Sequence, residues 1–309
     1  DNNTYPAIVY IPESAIKTFK DSNGNIDNNY KVNRRVTGTM VSSSVTFVAG
    51  SNEVFDAFAS QNYICVITSA SATAIGNGFA NGSIYDLSTA TVTLGGSPTG
   101  KQVTITAANI AGSTISVILP VNKTVATQKS KTLTTVTETL AHSSTIQLSH
   151  ADVFEIVSIE TSVGSVDVKD RYKLDNGQRD YYYDRGKLIW NTNTPSVSGN
   201  INVTYKYFAH GVGDYFSVDS YDGVIDYEDI PVYVSPMSGQ IYDLTNCIDF
   251  RSRINDSGTG FSIVSEIVAD AETFNCDYDY YLTRQDRVFL DDAGNLKIIE
   301  GNSSALGVL

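Results

Sequence analysis

The side chains that could do chemistry in this sequence are closely spaced carboxylates and a few hydroxyl, imidazole and glycine groupings. Asp219 with Asp222, and Asp226 with Glu228 and Asp229, are the residue types of a glycoside hydrolase. That reaction needs two carboxyls at a fixed separation with differently tuned pKa values. Nothing in these runs sets such a separation, and acidic surface loops carry the same runs. Ser217 lies near His210 and Asp214, the types used in acyl transfer. The Gly-x-Ser-x-Gly turn that would strain such a nucleophile is absent. His142, His150 and His210 make no His-x-x-x-His or Cys/His grouping, so no zinc site is expected. Asp21-Ser-Asn-Gly-Asn-Ile-Asp27 offers oxygen ligands at alternate positions. Ile26 stands where a calcium loop requires glycine, however, and Val32 where it requires a bidentate Glu. The segment reads as a hairpin turn. Gly76-Asn-Gly78 with Gly82 lacks the strand-to-helix setting of a phosphate loop. No catalytic, cofactor-binding or metal-ligating residue is assigned, and the chain is not read as an enzyme.

The elements around these residues must be built from a β-type composition. At 309 residues and 33.4 kDa the chain is long for one all-β domain, and its 41% apolar fraction can fill real cores. Gly, Ser, Thr, Asn, Val and Tyr dominate where helical runs of Leu and Met would otherwise stand. No apolar run approaches the length of a membrane span. The first residue is Asp1 rather than Met, which reads as a processed product or part of something longer. The net charge is −13; from Gly211 onward there are 18 Asp and Glu against five Arg and Lys, so the whole excess lies in the last third. A phosphate-binding face needs clustered cations, so nucleic acid is not an expected partner, and no membrane insertion is expected. Cys65, Cys247 and Cys276 are too few and too far apart for a disulfide framework, and buried free thiols are expected.

Short β-branched runs separated by Gly, Ser and Asn predict a mainly β fold: tandem immunoglobulin-like β-sandwiches followed by an irregular, aromatic-rich β region. Residues 1–34 read as a lead-in segment, with a strand at Ile8–Ile11 and a brief helical turn at Pro12–Ile16. Residues 35–127 read as one sandwich and 128–209 as a second, divided where the pattern lapses into Lys, Thr, Ser and Gln between Lys123 and Lys131. In the second, Asp184-Arg-Gly186 predicts a tight turn. Trp190 is a predicted core residue, and Ile201, Val203, Tyr205 and Tyr207 share one strand face. Residues 210–309 read as an acidic, aromatic-rich docking region ending in a hairpin about Asp291-Asp-Ala-Gly-Asn295. Fourteen of the 19 tyrosines lie between Tyr172 and Tyr281. Because such rings carry a polar tip on an apolar body, Tyr215, Phe216, Tyr221, Tyr227, Tyr233 and Phe250 are expected to dock onto another chain. Arg251 and Arg253 are expected to offset neighbouring carboxylates there.

The segments His210–Tyr221, Tyr227-Glu-Asp-Ile-Pro231, Cys247-Ile-Asp-Phe-Arg-Ser-Arg253, Tyr278-Asp-Tyr-Tyr-Leu-Thr-Arg-Gln-Asp286 and Asp170–Asp184 resemble a family of large virion proteins. These belong to contractile-tailed bacteriophages, including cyanophages, and carry an uncharacterised structural domain in baseplate, tail or tail-fibre components. The likeness covers roughly residues 130–301. This chain departs from it at Ser252, where Arg-Pro-Arg is the expected pattern. The resemblance implies a non-enzymatic role in the virion's tail or baseplate, assembled in the host cytoplasm. It also implies partners among other tail or baseplate proteins and a homo-oligomer, a trimer being favoured. The alternative is a receptor- or carbohydrate-binding tail adhesin, with Tyr181–Tyr183 as its aromatic platform.

Overall fold

β-Branched runs set apart by Gly, Ser and Asn form short strands along the whole chain, and the fold is mainly β. The computed structural model describes residues 7–11, 15–21, 24, 26, 28–263, 266–269 and 271–304. Among these, the one α-helix is Ala72–Gly76. Two compact units are present: residues 25–128 with 265–277, and residues 1–24 with 129–264 and 278–309. The division after residue 128 falls beside the sequence boundary at 127/128. The lead-in segment and the last third, by contrast, are not separate bodies. Ile8–Tyr10 pairs with Cys247–Asp249 and Ile16–Thr18 with Asp279–Tyr280 in the larger unit, while residues 25–34 and 265–277 belong to the smaller one.

In the smaller unit one antiparallel sheet runs in the order Phe274–Asn275, Asn29–Thr39, Thr114–Lys123, Ile64–Ser69, Ile84–Tyr85. Glu53–Phe55 also pairs with Thr114–Lys123. Ile115, Val117, Leu119 and Val121 fall on alternate positions of that central strand and are fully buried. The second sheet is Ser44–Val48, Gln102–Thr106, Thr91–Gly95. It buries Val45, Phe47, Val103 and Ile105 and turns Thr46 and Thr104 outward, hydroxyl to hydroxyl at 2.8 Å. At Gly38 the first sheet comes against the second: an added Cβ would stand 2.8 Å from Val45 and 3.0 Å from Phe47. Charge inside this unit is paired. Glu53 takes a two-bond fork from Arg34 at 2.6 and 2.7 Å and a third bond from Lys123 at 2.9 Å, while Glu266 also bonds Arg34.

The larger unit holds two three-stranded antiparallel sheets: Lys131–Ala141, Asn200–His210, Val153–Thr161, and Thr145–Ala151, Arg185–Trp190, Tyr172–Asp175. Both supply one core of Ile146, Leu148, Val153, Ile156, Ile159, Leu188, Ile201, Val203 and Tyr205. The alternation in Asn200–His210 is the one the sequence predicts, with Tyr207 packed at the margin. Trp190 is half-buried rather than central, its indole N–H donating to Thr194 Oγ1 at 3.1 Å. Asp184-Arg-Gly186 is not a turn. Arg185 begins the Arg185–Trp190 strand, and Gly186 is required because a Cβ there would lie 2.5 Å from Val153. The hairpin about Asp291–Asn295 is present, joining Arg287–Leu290 to Leu296–Ile299 through Gly294 at φ +81.

Within the predicted helical turn, Pro12–Ser14 lie outside the described residues, and Ile16 is in a strand. The 21–27 loop is described only at Asp21, Gly24 and Ile26, with Gly24 N–H donating to Asp21 O at 2.9 Å. Cys65 and Cys247 are buried free thiols and Cys276 is half-buried. No helix of the described residues is long and apolar enough to cross a membrane. The close approach at Gly38 gives a test: Gly38→Leu should destabilise the protein by about 1–3 kcal/mol through overpacking. Gly76→Ala, whose added methyl meets nothing within 4 Å, should leave thermal unfolding unchanged or slightly raised.

Candidate functional site

The densest chemistry lies inside the larger unit, on residues supplied by five separate stretches of chain. Lys131 opens the Lys131–Ala141 strand directly opposite His210, the last residue of Asn200–His210. Asp152 sits between the strands Thr145–Ala151 and Val153–Thr161 at φ +56. This left-handed conformation turns the chain between two strands of different sheets and aims the carboxylate inward. Asp249 ends the Cys247–Asp249 strand, and its backbone exchanges both hydrogen bonds with Phe216, at 2.8 and 2.9 Å. Arg251 follows two residues later, its backbone N–H donating to Asp249 Oδ1 at 2.9 Å.

Their side chains close a ring of hydrogen bonds. Lys131 Nζ donates to Asp152 Oδ2 at 2.6 Å, and Gln178 Nε2 donates to Asp152 Oδ1 at 3.4 Å. Arg251 Nη1 donates to Gln178 Oε1 at 3.3 Å, and its Nη2 donates to Asp249 Oδ2 at 2.8 Å and to the Tyr183 hydroxyl at 2.9 Å. The Tyr183 hydroxyl donates to Asp249, and Lys131 Nζ lies 3.4 Å from Tyr183 Oη, which completes the circuit. His210 Nε2 meets Asp152 Oδ2 at 2.8 Å. Two cations and two carboxylates are thus paired inside one interior, and Arg251 is the largest fully buried side chain among the described residues.

Aromatic rings form the shell. Lys131 Nζ stands 4.7–5.0 Å from the centroids of Tyr183, Phe208, Phe216 and Tyr221, and the Arg251 guanidinium 4.2 Å from Tyr183 and 4.5 Å from Tyr233. Such faces attract cations and exclude water, which strengthens each interaction within. Lys129 Nζ lies 5.0 Å from the Phe216 centroid, and burial pushes its ammonium down to about 8. Burial likewise pushes His210 down to about 4, against the pull of its Asp152 hydrogen bond, so the imidazole is neutral near pH 7. Burial raises the Asp152 and Asp249 carboxyls, but Lys131 and Arg251 respectively outweigh it and hold both below the usual carboxylate range.

These positions correct the docking expectation. Tyr215, Phe216, Tyr221, Tyr233, Phe250 and Arg251 are buried within this chain itself, so their rings and guanidinium are spent on its own interior. Phe216, Tyr221, Tyr233 and Arg251 meet in the cage, while Tyr215 and Phe250 pack together at 6.2 Å. Tyr227 and Arg253 are half-buried, and Arg253 is the strand partner of Tyr183. Tyr227 stands edge-on to Tyr281, and Arg253 pairs with Asp256 at 2.5 Å. The offsetting role foreseen for the two arginines holds in Arg251–Asp249 and Arg253–Asp256. Tyr183 is fully buried and Tyr181 and Tyr182 half-buried, so that triplet presents no flat exposed platform.

Sequence did not bring Lys131, Asp152, Gln178, Tyr183 and His210 together, reading Tyr183 only within the Tyr181–Tyr183 platform and His210 only beside Ser217 and Asp214. Lys131 lies at the edge of the polar stretch read as a boundary, and no spacing joins it to Asp152. The other candidate chemistry is not assembled. Asp219 accepts from Thr18 Oγ1 at 2.6 Å and Phe19 N at 2.7 Å, a clamp on the N-terminal strand beside a cleft of about 440 Å³. The Ser217 hydroxyl faces Asp219 at 3.5 Å, whereas His210 turns to Asp152. Among the described residues no group of three or more His, Cys, Asp or Glu is placed to hold a metal ion.

The family described as "Domain of unknown function (DUF4815)" matches residues 101–307, which is 207 of the 309 residues. No curated protein and no solved structure matches the chain.

His210 sets the acid side of the stability profile. The unfolded imidazole binds its proton below about 6.5, but the folded one does so only near about 4. Stability should therefore fall as pH drops through that window, with His150, also held down by burial, adding the same sign. Urea unfolding of His210→Gln, which keeps a donor for Asp152, should show a shallower loss between pH 6.5 and 5 than the unaltered protein.

Proposed function

Taking as premise that the chain belongs to the DUF4815 family, we propose that it is a non-enzymatic structural component of a tailed-phage virion. Its place is the baseplate or tail-fibre attachment, and it assembles through contacts with tail proteins or further copies of itself, a trimer being the favoured state. The resemblance of His210–Tyr221, Cys247–Arg253 and Tyr278–Asp286 to such proteins supports this reading.

The observation that carries it is the terminal hairpin. Opposite residues in an antiparallel pair share a face, and the register sets Val288 against Ile298 and Leu290 against Leu296. One face is therefore wholly aliphatic, and its four side chains are 63–75% exposed. A two-stranded hairpin is marginal alone in water, and each such side chain contributes about 1.5–3 kcal/mol when fully buried. A face of this composition has its energetic return in a contact beyond the residues described, whereas the tyrosine-rich interior has already found its partners.

Leu290→Asp combined with Ile298→Asp tests the assignment. Because both side chains are exposed within the chain, thermal unfolding should be unchanged, while light-scattering mass should show loss of the oligomer and particles should fail to incorporate the variant. Normal incorporation and an unaltered oligomer would contradict the role given to the hairpin.

A further inference from the structure

We propose that Lys131 and Asp152 become joined by an intramolecular isopeptide bond, formed by the fold without a separate enzyme. The amine and the carboxyl meet at 2.6 Å with side chains 0% and 1% exposed. An amine held this close to a carboxylate oxygen is kept beside the carbon it would attack. Asp152 holds its inward aim through a left-handed backbone, φ +56, a conformation that costs free energy in a non-glycine residue and clusters at functional positions. The distance and the backbone are independent observations, and both serve the same encounter.

The chemistry balances within the pair. A proton passes from the Lys131 ammonium to Asp152 along their hydrogen bond, giving amine and carboxylic acid. In a dry interior this transfer removes two buried charges. The Nζ lone pair then forms the bond to Cγ. Of the three ammonium protons one stays on the amide nitrogen, and two leave with a carboxylate oxygen as water. The positive charge of Lys131 and the negative charge of Asp152 cancel, so no oxidant, reductant or activating group is needed.

The neighbours suit each step. His210 Nε2, 2.8 Å from Oδ2, holds the oxygen that departs. Gln178 Nε2 approaches Oδ1, where charge develops as the carbon becomes tetrahedral. The second proton crosses from Nζ to Oδ2 along the same 2.6 Å contact, so that the oxygen departs as water. The rings of Phe208, Phe216 and Tyr221 favour the ammonium, which makes the first proton transfer the slow step. They also bar the water that would reverse the condensation. The product ties the strand Lys131–Ala141 to the residue at which the chain returns from Thr145–Ala151 into Val153–Thr161 of that same sheet, across residues 21 apart. That strand could then not peel away under load.

Intact mass of the purified, folded chain decides the matter. The unaltered protein should weigh one water less than its sequence, and digestion should yield a branched peptide joining Lys131 to Asp152. Asp152→Asn should instead lose one ammonia, while Lys131→Arg and Asp152→Ala should keep their full masses. His210→Gln should slow the approach to the lighter species. A full sequence mass for the unaltered protein after prolonged incubation overturns the proposal. So does a deficit that persists in Lys131→Arg, or one that comes without a branched peptide.

Discussion

A charge taken out of water stays in a fold only when each of its polar atoms meets a partner, and the larger unit is organised by that requirement. Arg251 alone bonds Asp249, Tyr183, Gln178 and the carbonyl of Arg179. Those partners come from separate strands and loops, so satisfying one guanidinium fixes where several segments pass. Removing one member of such a pair typically costs about 3–5 kcal/mol, because the other charge is left buried and unmatched. The aromatic shell follows from the same constraint, since ring faces are the apolar surfaces that tolerate a cation. The smaller unit handles its charge on the same principle at lesser depth, with Glu53 gathered between Arg34 and Lys123.

This arrangement separates two uses of apolar side chains. Phe208, Phe216, Tyr183 and Tyr221 surround Lys131 and hold the chain to itself. Val288, Leu290, Leu296 and Ile298 face outward from a hairpin that gains little within the chain. The buried and the outward-facing apolar side chains thereby fall in different parts of the chain.

Local pattern was readable in the sequence, and distant pairing was not. The alternation Ile201, Val203, Tyr205 gave a half-buried strand, Asp291-Asp-Ala-Gly-Asn295 gave a hairpin turn, and the polar lapse before Lys131 gave the boundary between units. Each depends on neighbours a few residues apart. The pairing of Ile8–Tyr10 with Cys247–Asp249, and of Asn29 with Asn275, has no local signature. Tyrosine density indicated burial correctly but could not tell burial inside one chain from burial between two. Gly186 was read as a turn residue because glycine serves both turns and close packing, and only Val153 against it decides which. No local pattern links Lys131 to Asp152, and nothing short of the folded geometry sets them 2.6 Å apart.

Native-state hydrogen exchange at the backbone amides of Phe216, Asp249 and Arg251 addresses the organising role of the buried network most directly. These amides are bonded to Asp249 O, Phe216 O and Asp249 Oδ1. If the network organises the larger unit, they exchange only through its global unfolding, with an opening free energy equal to that from urea. Arg251→Met then lowers all three together with the strand amides of Asn200–His210. Exchange of the three through a smaller local opening, or their loss in Arg251→Met while Asn200–His210 stays protected, would show that the network decorates a fold built by other forces.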